Sequence, residues 1–224
     1  AAHRGRLLLL PVLAAAQGVL GWYMVKSGLE VRTDVSPYRL TAHLGMALVI
    51  YVICVWTALD LGAPAPGHPR APAALARWIT VGLILTIVTL LSGGFVAGLD
   101  AGKVYNTFPL MGGQVVPPGY HLPGTGWRNA FENPAAAQFH HRVLALGTVA
   151  TLLLLVALGR RTPISPPLHR AITAAGLLVL LQLALGITTL LLRVPIAIAV
   201  LHQVTGVMVL TAMLVATHRS RVSG

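Results

Sequence analysis

Charge is what this 224-residue sequence has least of: Asp, Glu, Lys and Arg together make up 9% of it, against about 25% in soluble domains. Such a chain cannot cover a globule with solvated side chains, which excludes an ordinary soluble domain. Acids are scarcest, 5 against 16 Lys and Arg, for a formal net charge of +11. The bases lie between long apolar runs rather than in one patch, so they mark membrane topology and not a nucleic-acid partner. Cysteine is reduced to Cys54, inside an apolar run. That excludes an internal disulfide framework and a Cys-ligated zinc or iron–sulfur site, and Cys54 reads as a small core residue. What is abundant is apolar: 56% of the residues are hydrophobic, and the mean hydropathy is +0.79.

Crossing about 30 Å of hydrocarbon takes on the order of 20 apolar residues in a helix. Six runs of that kind stand between charges, prolines and glycines: Leu7 to Ser27, Leu40 to Leu59, Trp78 to Leu99, Ala135 to Leu158, Ala171 to Leu192 and Ile196 to Thr217. The first is too long for a signal peptide and has no small-residue cleavage site after it. Backbone in lipid must satisfy its own hydrogen bonds, so the runs are helices and the fold is an all-α polytopic membrane bundle. Six crossings put both ends on one side. That side holds nine bases, Arg4, Arg6, Arg70, Arg77, Arg160, Arg161, Arg170, Arg219 and Arg221, and one acid, Asp60. The other side holds six bases, Lys26, Arg32, Arg39, Lys103, Arg128 and Arg193, with Glu30, Asp34, Asp100 and Glu132. The excess of bases puts the ends in the cytoplasm or the mitochondrial matrix.

The connections differ in character. Residues 100–134 form a long Gly/Pro-rich outer segment with Tyr120 and Trp127 as interface anchors, and it is expected to lie as an ordered cap on the membrane face. The inner stretch 62–77 is Pro/Ala-rich, without an aromatic before Trp78, and reads as a linker. A weak internal repeat is also present. Gln17-Gly18-Val19-Leu20-Gly21 precedes an outer turn and then His43, while Gln182-Leu183-Ala184-Leu185-Gly186 precedes an outer turn and then His202. If the repeating unit is four helices, residues 78–224 are a complete C-terminal unit and residues 1–61 are the second half of an N-terminal one. Two further helices are then expected ahead of Ala1.

Nine histidines are present. His3, His68, His169 and His218 fall at inner ends or loops and His121 in the outer loop, where solvated rings are expected. His43, His141 and His202 differ: each lies one to two turns inside a helix that starts on the outer side, so all three reach a similar shallow depth. Intramembrane ionisable residues mark functional sites. Zinc would want further ligands, and no intramembrane Cys, Asp or Glu stands beside them. Haem iron needs two axial ligands, and facing helices of a bundle can supply one His each. His141 and His202 are the preferred pair, with His140 as rival ligand about 100° round the helix. Hydrogen bonding between helices is the other use of such rings. Arg142 suits a haem propionate or a headgroup.

The stretches Gly93-Gly94-Phe95-Val96-Ala97-Gly98-Leu99-Asp100-Ala101-Gly102, Tyr105-Asn106-Thr107-Phe108-Pro109-Leu110-Met111 and Glu132-Asn133-Pro134 followed by Gln138-Phe139-His140-His141-Arg142 resemble haem A synthase of the proteobacterial and mitochondrial type. With Gly21-Trp22-Tyr23-Met24-Val25-Lys26-Ser27-Gly28-Leu29 and His202, the resemblance covers almost the whole chain. It implies an eight-helix protein of two similar four-helix halves. The implied activity is that of an oxidoreductase, taking the C8 methyl of haem O to the formyl group of haem A by oxygen-dependent hydroxylations, for cytochrome c oxidase. By the same resemblance His141 and His202 are axial ligands of haem b, Arg142 lies at that cofactor, and His43 is one ligand of the substrate haem. The family's catalytic Glu sits in a Glu-x-x-His motif, and no such motif occurs here; the matching position of the second half is Gln138. Together with the repeat, this leads us to expect a chain without the first two helices, binding haem b and making no haem A alone. The family's outer-loop cysteine pair is likewise not seen. Expected partners are membrane lipid, a haem O synthase, an electron donor and a second copy of the chain. The expected location is the bacterial or mitochondrial inner membrane. The competing functions are a non-enzymatic bis-His membrane cytochrome or haem carrier and, further off, a small-molecule transporter built from repeats.

Overall fold

The computed structural model describes residues 2–29, 35–62 and 70–221. Glu30, Arg32, Asp34 and His68 lie outside the described residues, as do positions 63–69 of the expected linker. The helices are α1 Ala2–Leu29, α2 Pro37–Leu61, α3 Ala73–Gly98, the short α4 Asn129–Glu132, α5 Pro134–Arg161, α6 Pro166–Leu191 and α7 Ile196–Arg221. All but α4 are long and apolar enough to cross a membrane, and the chain is a multi-pass membrane protein. The helices overrun the apolar runs, because an apolar run marks contact with lipid whereas the backbone stays helical through its polar ends. Thus α3 starts at Ala73 rather than Trp78, and α5 ends on Arg160 and Arg161, where cations complement the helix C-terminus.

Local sequence sets where the helices start. Pro37, Pro134 and Pro166 occupy the first helical positions, where no N–H is needed and φ is already helical. Asn133 caps α5, its side chain accepting from the Ala135 N–H at 3.0 Å. The α6–α7 turn is as tight as its Arg-Val-Pro sequence suggests, with Arg193 and Val194 both left-handed at φ 59° and 64°.

Helices α3, α5, α6 and α7 pack in a closed ring in that order, and α2 lies against α3 and α7. Ile79, Leu152, Leu155, Leu168, Ile172 and Met213 fill the ring's centre. Between helices in lipid, packing depends on close approach rather than on water exclusion, and Gly94-x-x-x-Gly98 on α3 provides it. A Cβ at Gly98 would lie 2.6 Å from the Pro37 Cα of α2. Helix α1 packs on α2 and buries none of its span. Cys54 is exposed on α2, a correction to its reading as a core residue: a small thiol tolerates the lipid-facing side of a helix, so nothing drives it inward.

A second correction concerns His218. It is 4% exposed, not solvated, and its Nε2 donates to Asp60 Oδ1 at 2.8 Å. The Trp56 ring covers it edge-on, with centroids 5.3 Å apart. Asp60 also accepts from Arg6 Nη1 at 2.5 Å. The one carboxylate at this end of the bundle therefore gathers α1 and α7 onto α2, and a position at a helix end did not mean water.

Candidate functional site

His43, His141 and His202 stand 6, 7 and 6 residues after the first residue of α2, α5 and α7, roughly 9 to 10 Å along each axis. The three helices start on the side that carries the 99–133 segment, so the rings share one depth. In the ring of four helices α5, which carries His141, and α7, which carries His202, occupy a diagonal. His43 lies outside that ring, on the α1–α2 hairpin.

Each imidazole rests on a glycine of the neighbouring helix. A Cβ at Gly21 would lie 3.1 Å from His43 Cε1, one at Gly93 3.4 Å from His141 Cε1, and one at Gly186 2.8 Å from His202 Cε1. His141 Nδ1 is held at 2.8 Å by Ser92 Oγ, which itself donates to Thr89 O at 2.7 Å. The other two rings meet amides: Gln17 Nε2 is 3.2 Å from His43 Nε2, and Gln182 Nε2 is 3.4 Å from His202 Nε2. Ser92 was not singled out by sequence, although a lone hydroxyl between Leu91 and Gly93 in an apolar run was a usable signal. The two glutamines were visible as members of the repeat, but not as partners of the rings.

The rival ring has a different place. His140 Nε2 lies 2.9 Å from Tyr120 Oη and packs edge-on against Phe139 and Tyr120. It therefore belongs to the cap, while His141 faces α3. Tyr120 turns onto α5, where His140 offers it a hydrogen bond. Trp127, 74% exposed, is free to contact the membrane surface.

The cap is ordered, and asparagines order it. Asn106 Nδ2 donates to Gly102 O and to Leu190 O, both at 2.8 Å, which ties the loop to the end of α6. Asn129 Nδ2 donates to Tyr120 O at 2.8 Å and Asn133 Nδ2 to Gly119 O at 2.8 Å. Two short 3-10 turns, Ala101–Lys103 and Gly126–Arg128, complete the segment. Tyr38 of α2 donates to Glu132 Oε1 at 3.1 Å.

Arg142 closes the cap over His141. Its Nη1 donates to Thr107 O and its Nη2 to Tyr105 O, each at 2.8 Å; Gln138 Nε2 adds a bond to Tyr105 O at 3.1 Å. Each terminal nitrogen thus gives one bond to the loop, and Nε is buried without a partner. Hydrogen bonds from a charged donor contribute about 1.5–3 kcal/mol each. Arg142→Met is therefore expected to leave the helices intact and to speed proteolytic cleavage between Val104 and Val116 about tenfold or more. Cleavage at the parental rate would show that the latch carries no load.

The donor set fits a haem better than a bare cation. Among the described residues no group of three or more His, Cys, Asp or Glu is placed to hold a metal ion. Two imidazoles on diagonal helices at one depth suit the two axial positions of a macrocycle. His43 Nδ1 and His202 Nδ1 are buried without partners.

Comparison with known proteins identifies the chain's relatives. The family model described as cytochrome oxidase assembly protein, COX15-CtaA, matches residues 1–214. The chain is 46% identical over 220 residues to the heme A synthase of Granulibacter bethesdensis, covering 98% of this chain and 58% of that protein. It is 45% identical over 223 residues to human heme A synthase COX15, covering 94% and 53%. The bovine protein of the same name matches at 47% over 212 residues, covering 89% and 50%. The chain thus spans 50–58% of the length of these curated relatives. A family match that runs from the first residue to residue 214, past His43, His141 and His202, establishes that this chain belongs to the COX15-CtaA family of cytochrome oxidase assembly proteins.

Proposed function

We propose that the chain supplies the haem b site, and one wall of the substrate site, of a haem A synthase, the oxidoreductase that turns the C8 methyl of haem O into the formyl group of haem A for cytochrome c oxidase. The observation that carries this reading is the set of three imidazoles at one depth, each seated on a glycine of the next helix, in a chain whose relatives bear that enzyme's name. In this reading residues 78–224 form the haem b unit with its cap at 100–134, residues 1–61 belong to the substrate-haem unit, and 62–77 link them on the inner side. Both ends lie in the cytoplasm or matrix, and a haem O synthase, an electron donor and a second copy of the chain are its partners.

Within the haem b unit, His141 and His202 would hold the haem, and Ser92 orients the first of them through Nδ1. When bound, the iron supplies one-electron transfer. Arg142 and Gln138 pin the Tyr105–Thr107 strip over α5, and the Arg142 Nε remains as a donor for an anionic group on the ligand. His43 holds the substrate on the α1–α2 side. The carboxylate acid/base of the family's Glu-x-x-His motif is not a residue of these 224, so in this chain ligation and positioning are the roles to test. The test is an optical spectrum of the purified protein with and without reductant, paired with pyridine haemochrome analysis. Sharp low-spin bands and haem b are expected. A protein that shows no such bands after incubation with haem b does not have this function.

A further inference from the structure

We propose that Gln17 and Gln182 are place-holders for the metal: in the haem-free protein each amide N–H occupies the Nε2 lone pair of its histidine, fixes the ring in the Nδ1–H tautomer that iron requires, and swings aside on binding. This rests on the reading that these histidines take iron, and it assigns a role to side chains that ligate nothing. The geometry occurs twice, at 3.2 Å for Gln17 and His43 and at 3.4 Å for Gln182 and His202. In both copies a glycine follows the glutamine by four residues, and the imidazole lies on it.

At Gln17 the direction of the bond is set chemically, and Gln182 is assigned the same direction through the repeat. Gln17 Nε2 also donates to the backbone carbonyl of His43 at 3.1 Å, so the amide presents its NH2 group, and not its oxygen, to that corner. A neutral imidazole carries one donor and one acceptor nitrogen. A ring whose Nε2 faces an N–H must therefore keep its proton on Nδ1. Nε2 is then both the atom prepared for a metal and the atom already covered. The arrangement is poorly satisfied elsewhere: Gln17 Oε1, Gln182 Oε1, His43 Nδ1 and His202 Nδ1 are all buried without partners. An amide whose own oxygen is unbonded is held loosely, so an arriving metal displaces it readily. His141 has no such guard; Ser92 at its Nδ1 leaves the far nitrogen open. The two ligands of the proposed haem b site therefore differ, one open and one guarded, and His141 is the ligand that binds first.

The test uses the full chain, haem-free, in detergent with 15N-labelled histidine, and reads tautomers by NMR before haem b is added. His43 and His202 are expected to be protonated on Nδ1. Gln182→Leu should move His202 toward the other tautomer and leave His43 as it was. Gln182→Glu, read at a pH where its carboxyl is ionised and offers only acceptors, should place the proton on His202 Nε2 and slow haem b uptake, followed at the Soret band, about tenfold or more, the scale on which metal sites respond to loss of an outer partner. A parental His202 protonated on Nε2, or a Gln182→Glu protein with parental tautomer and uptake, overturns the proposal. A chain whose tautomers behave as stated but that takes up no haem b would instead refute the proposed function and leave the tautomer assignment standing.

Discussion

His202→Ala and His141→Ala are each expected to abolish the low-spin b-type spectrum while the helical bundle stays inserted. Both rings lie on glycines, so their removal opens space without withdrawing a packing knob from the core. Ser92 keeps its bond to Thr89 O when His141 is lost, and Gln182 loses one long contact when His202 is lost. Circular dichroism should therefore show parental helix content beside a vanished or five-coordinate spectrum. His140→Ala is the internal control. It unties Tyr120 from α5 and should loosen the cap, but leave the bands in place. Persistence of the bands in both alanine variants, or their loss in His140→Ala alone, would refute the ligand assignment.

Gly98→Val should be the most disruptive single change in the membrane-spanning part. A Cβ there would sit 2.6 Å from Pro37 Cα and 2.9 Å from Pro37 Cβ, and the obstacle is backbone at the start of α2, not the end of a flexible side chain. Overpacking usually costs about 1–3 kcal/mol, and a contact that only a shift of a whole helix can relieve belongs at or above the upper end. The added branch should push α2 away from α3 and carry His43 with it. Gly147→Ala provides the contrast: nothing lies within 4 Å of its ideal Cβ, and in a helix Ala is favoured over Gly by up to about 1 kcal/mol. Thermal unfolding in detergent should separate the two, with Gly98→Val melting well below the parent and Gly147→Ala at or slightly above it. Equal melting temperatures would mean that the α2–α3 contact is not close-packed.

The spans were legible in the sequence because lipid imposes one rule on every residue of a crossing, and the three histidines because they break it. What hydropathy could not supply was anything decided between distant segments. The latch joins Arg142 to carbonyls of Tyr105 and Thr107, and backbone carbonyls leave no mark in composition. Tyr120 looked like an interface anchor because its phenol suits that position; only the fold brings His140 to it. His218 was misjudged for a similar reason, since the partner that buries it, Asp60, comes 158 residues earlier. The Gln–Gly repeat was seen as evidence of duplication, while its chemistry, an amide against an imidazole, emerged only when α1 met α2 and α6 met α7.

Asp60 also gives the assembly an order in time. Its bond to Arg6 spans 54 residues and joins the first two helices, so it can close as soon as that hairpin exists. Its bond to His218 waits for the last helix, and at a synthesis rate of about 5–20 residues per second that interval is on the order of 10–30 s. Until then the carboxylate at the C-terminal end of α2 is half-paired and the edge of α2 that will meet α7 is bare. Arrival of the C-terminal helix ends that period by completing the same carboxylate's pairing.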